Sequence, residues 1–125
     1  MKDSVIHLHL VCQDSARELK FFKSEIPFFK KRLEEVISKN SSKEVAQQVE
    51  HFENRFRLLD IHFDEMLHEL NLKIDWLEDT AKAKPTFIHL KVVESNDNLL
   101  ELITKTTTDF ASAKKEFYHF LSKTM

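Results

Sequence analysis

Apolar or small side chains recur along the first third of the chain in steps of three and four residues: Leu8, Cys12, Ser15, Leu19, Phe22, Ile26, Phe29, Leu33 and Val36. That spacing returns each residue to the same side of an α-helix and leaves the polar residues between them on the other side. It predicts a helix over about residues 4–39, with Asp3 or Ser4 able to cap its start. A second column, Phe21, Phe28 and Ile37, widens the apolar face. Pro27 falls inside the pattern. It removes one amide donor and crowds the preceding turn, which predicts a kink near Lys23 to Ile26, with the periodicity continuing across it.

Lys39-Asn40-Ser41-Ser42 reads as a turn, and Ser41 followed by Glu44 matches a capping box. A second helix follows over about 42–81, with the seam Val45, Val49, Phe52, Phe56, Leu59, Phe63, Met66, Leu70, Ile74 and Leu77, broadened by Leu58 and Leu67. Lys82-Ala83-Lys84 leads to Pro85, which suits a first helical turn because its missing amide would have no partner there. The third helix, over about 85–124, carries Val92, Leu99, Ile103, Phe110, Ala113, Phe117 and Phe120. Ser95-Asn96-Asp97-Asn98 favours a cap or turn, and Asn98 with Glu101 resembles a second capping box, so the helix is open to a restart there. Three matched helices and two short turns predict an all-α, elongated antiparallel up-down-up three-helix bundle with shallow, coiled-coil-like crossings, forming one domain over residues 1–125.

Composition narrows the function classes. The chain has no glycine, which argues against β-hairpin folds and against the glycine-rich phosphate cradles of P-loop and dinucleotide-binding enzymes. Nineteen basic and 21 acidic residues are mixed along the chain, giving a net charge of −2, so neither a nucleic-acid groove nor an anionic membrane surface is expected as a partner. No window has the length of a membrane span and no leader is evident. The lone Cys12 can form neither an internal disulfide nor a cysteine-based zinc site; it lies on the apolar seam, where it reads as a buried structural thiol, and a cytoplasmic location is expected.

The apolar faces are broader than a thin bundle needs, and 11 of 125 residues are Phe. Large rings filling the centre would account for part of that. The outer columns predict a homodimer interface at Phe21, Phe28, Leu58 and Leu67. The leading expectation is therefore a non-enzymatic protein that works by protein–protein contact or self-association. A helical adaptor, monomeric with an open apolar groove along Phe21 and Phe28, is a further reading.

The alternative of a different class is a metal-binding bundle. Glu65 with His68, and Glu116 with His119, are two Glu-x-x-His elements. In this one respect the chain resembles the ferritin-like carboxylate-bridged di-iron and di-manganese bundles, which use that element twice plus a single Glu from each of two other helices. The resemblance implies a divalent transition metal held by Glu65, His68, Glu116 and His119, with Glu18 or Glu25 and Glu94 or Glu101 as lone carboxylates. It covers two four-residue elements only, and that family has four helices. In an up-down-up arrangement with Glu65 and His68 level with about residues 98–101, the two elements stand roughly 25 Å apart within one subunit, so such a site would be shared between subunits. Grouping of His7, His9 and His89 at one end is a second, weaker metal reading, and Trp76 and Tyr118 are expected at the edge of the core.

Overall fold

The computed structural model describes the backbone of residues 2–83 and 85–125 and the side chains of 5–79, 82 and 98–125. Three helices follow in order: α1 (Lys2–Lys39), α2 (Lys43–Ala83) and α3 (Pro85–Thr124). All three pack on one another as an all-α three-helix bundle; among the described residues α1 packs with α2 most extensively and there is no sheet.

Each predicted seam residue whose side chain is described is buried or half-buried. Eight of the phenylalanines (22, 29, 52, 56, 63, 110, 117 and 120) form the centre in layers. Phe22 meets Phe110 at 5.0 Å between ring centroids, and Phe63 meets Phe110 at 5.3 Å. One layer on, Phe29 and Phe56 lie 5.0 Å apart and each packs on Phe117. Phe52 then joins Phe117 and Phe120. Tilted and edge-on rings place the positive edge of one against the negative face of the next, which adds to their burial energy. The repeat from Phe22–Phe110 to Phe29–Phe117 advances both parallel helices by seven residues, as a coiled-coil-like core does.

The helix α1 passes through Pro27 without a break. The third helix is continuous through Ser95 to Asn98, so the restart open in the sequence does not occur; Val92 lies outside the described side chains. Farther along, Thr104, Thr106, Thr107 and Thr108 each donate a hydroxyl hydrogen bond to a carbonyl one turn back in α3. Those bonds keep the threonine-rich stretch polar-satisfied within the helix. Thr106 is buried and occupies the core position between Ile103 and Phe110.

The turn differs from the capping box expected at Ser41. It is Ser42 Oγ that accepts from the Val45 amide, at 3.4 Å, so the cap lies one residue later, directly before Lys43. Asn40 closes the other side of the turn, with its Nδ2 donating to the Val36 carbonyl (3.2 Å) and to the Thr124 carbonyl (3.5 Å). The second contact ties the end of α1 to the end of α3, as an up-down-up order requires.

Interhelical ion pairs flank the core. Lys23 reaches both Asp60 (2.9 Å) and Asp64 (2.6 Å), joining α1 to α2. Burial works against the Lys23 ammonium, but hydrogen bonds to the two carboxylates and their charges outweigh it and raise its pKa. Glu25 pairs with Lys114 between α1 and α3, and Arg55 with Glu116 between α2 and α3.

Candidate functional site

The metal constellation is not assembled within the chain. Glu65 and His68 sit on α2 with exposed side chains. Glu116 is held in an ion pair with Arg55, ten residues before Glu65 on α2. At 1.5 Å per residue the two Glu-x-x-His elements are therefore about 15 Å apart along the axis. This corrects the roughly 25 Å expected, because α3 is displaced along α2 relative to the simple end-matched register: Phe63 meets Phe110 and Phe56 meets Phe117. His119 is exposed, and Glu25 is committed to Lys114. Glu18 and Glu101 are exposed on other parts of the surface, and Glu94 lies outside the described side chains. Among the described residues, no group of three or more His, Cys, Asp or Glu is placed to hold a metal ion.

The amino-terminal histidines do not converge either. His9 Nε2 lies 2.9 Å from Glu78 Oε1, His7 is exposed, and His89 lies outside the described side chains. Cys12 is buried in the core cluster. Burial pushes its thiol pKa up, with the nearby Lys73 charge a smaller opposing influence. Lys73 is pushed down by its own burial, against the opposing effects of Cys12 and Glu69. A thiol held in its neutral form is a packing group rather than a nucleophile.

The expected interface residues divide. Phe21 is 60 % and Phe28 69 % exposed, on one side of α1 and a heptad apart; Leu58 is also exposed, on α2. Leu67 is only 9 % exposed and belongs to the core cluster. Leu67 lies on the side of α2 that carries Asp60 and Asp64, which pair with Lys23, so it turns toward α1. It is therefore not an outer residue of the folded chain.

Sequence reasoning passed over a longer outer stripe. Leu58, Ile61, Leu72 and Trp76 are all exposed on α2, and their spacing with Glu65 and His68 places the six on one face, pointing away from the buried seam. The signal was present as steps of three and four, but the heavier core seam of the same helix masked it. Glu65 and His68 of this face also line, with His62, Met66, Leu99 and Thr106, a cleft of about 630 Å³ between α2 and α3.

No known protein family matches the chain, and neither a curated protein nor a solved structure does. Among the described residues, no helix is long and apolar enough to cross a membrane.

Proposed function

We propose that this chain is a helical assembly protein, acting by protein–protein contact that includes association with its own copies, without catalysis. The observation that carries the reading is the set of large apolar side chains left in solvent on outward helix faces, Phe21 and Phe28 on α1 and Leu58 on α2, after the core is already filled by eight other phenylalanines. Scattered single apolar residues are ordinary on a surface, but apolar columns repeated along a helix mark contact sites. The described residues are almost wholly in long helices, and helix surfaces of this kind bind chiefly by laying one apolar face against another. The buried single cysteine suits a reducing compartment such as the cytoplasm.

Sedimentation velocity over a concentration series tests this, comparing the native chain with a Phe21→Glu, Phe28→Glu, Leu58→Glu triple variant. The native chain is expected to sediment faster as concentration rises and the variant to stay monomeric. A native chain that remains a monomer throughout contradicts self-association.

A further inference from the structure

We propose that the outward face of α2 is a self-complementary interface that pairs two copies of this chain with their α2 helices antiparallel. The proposal rests on the self-association reading above and supplies its geometry.

Leu58, Ile61, Leu72 and Trp76 are exposed on this face, with the exposed Glu65 and His68 between them. From residue 58 to residue 76 the stripe runs about 27 Å at the α-helical rise. Its order is apolar, apolar, acid, histidine, apolar, apolar, so its two halves are complementary. A two-fold axis crossing midway between Glu65 and His68 sets Glu65 of one copy against His68 of the other, and the symmetry makes that pair twice. The same operation sets Ile61 level with Leu72 and brings Leu58 within one residue of Trp76. On the flank nearer α1 it brings Arg57 within one residue of Asp75, both exposed.

That complementarity selects both the partner and the orientation. A parallel copy would put Glu65 against Glu65, and an antiparallel copy slid by one heptad would set the charged centre against apolar residues; either loses the match. The Phe21–Phe28 column on α1 lacks the property. Antiparallel pairing there puts Arg17 level with Arg32 and Asp14 level with Glu35, like against like. A single-helix stripe is smaller than a standard interface, so the dimer is one that dissociates on dilution.

The test is the dimer dissociation constant, from sedimentation equilibrium, of the native chain, Glu65→Lys, His68→Glu and the double Glu65→Lys/His68→Glu variant. All substituted positions are exposed, so helical content by circular dichroism should match the native chain. Each single change creates two mismatched contacts per dimer and is expected to raise the dissociation constant roughly tenfold or more. The double variant sets the introduced lysine of one copy against the introduced glutamate of the other and is expected to return close to the native value. Single variants that dimerise like the native chain, or a double variant as weak as the singles, overturn the proposal. A native dimer insensitive to these changes but broken by Phe21→Glu with Phe28→Glu overturns this interface and leaves self-association standing. A native monomer at all concentrations removes both.

Discussion

Lys114 Nζ lies 3.0 and 3.2 Å from the two carboxylate oxygens of Glu25, bridging α3 to α1 across the edge of the aromatic core. The same ammonium sits 5.6 to 6.0 Å from the ring centroids of Phe110, Phe29 and Tyr118. Both side chains are mostly shielded from solvent, so the pair is screened less than a surface pair and its lysine also gains from the rings. Lys114→Ala is expected to lower stability by about 1 kcal/mol, with Lys114→Met recovering part of the loss because its stem still covers the rings. Urea denaturation reads both, and an unchanged midpoint for Lys114→Ala would show that the contact is energetically idle.

Phe110 is one of the rings that all three helices share, touching Phe22 and Phe29 of α1 and Phe56 and Phe63 of α2. Phe110→Ala removes a side chain that is almost wholly buried. The expected cost is about 3–5 kcal/mol, a large part of the stability of a chain this size. Thermal and urea unfolding measure it, and a cost under about 1 kcal/mol would mean the core is not packed around this ring.

The buried Thr106 has its hydroxyl satisfied by the Leu102 carbonyl. Valine has nearly the same shape, and removing the hydroxyl leaves that carbonyl in its helix. Thr106→Val is therefore expected to be neutral or stabilising, within about 1 kcal/mol. A loss above about 2 kcal/mol would assign the hydroxyl a role beyond helix capping of its own turn.

Cys12 is expected to resist thiol reagents while the chain is folded and to react at the ordinary rate in denaturant. Burial raises its folded pKa above the unfolded value. The contribution to stability is thus fully present while the thiol is neutral in both states, and is lost as pH rises through about 8.5, where the unfolded chain releases its proton and the folded chain retains it. Urea midpoints between neutral and alkaline pH, compared for the native chain and Cys12→Ala, check the sign: the native chain should lose more. Rapid labelling under native conditions would contradict the burial.

The core was legible in the sequence because a seam of Phe and Leu at helical spacing has few other ways to avoid water. Leu19, Phe29, Phe56, Phe63 and Phe117 all lie where their spacing put them. What spacing within one helix does not encode is the relative slide of two helices. The register set by Phe63–Phe110 and Phe56–Phe117 decides that the Glu65 and Glu116 elements are about 15 Å apart. The shift of the cap from Ser41 to Ser42 has a similar origin, since adjacent serines offer the same chemistry and the backbone chooses between them. Candidate functional residues were harder to read. Leu58 is legible as an outer residue, but its continuation through Ile61, Leu72 and Trp76 is defined by Leu59, Phe63, Leu70 and Leu77 filling the opposite side of α2.

The absolute mass in solution, by light scattering over a concentration series, tests the central claim most directly. The chain is 14.8 kDa. Self-association through its outward helix faces predicts a mass that climbs with concentration toward twice that value. A mass that stays at the single-chain value up to high micromolar concentration would contradict it.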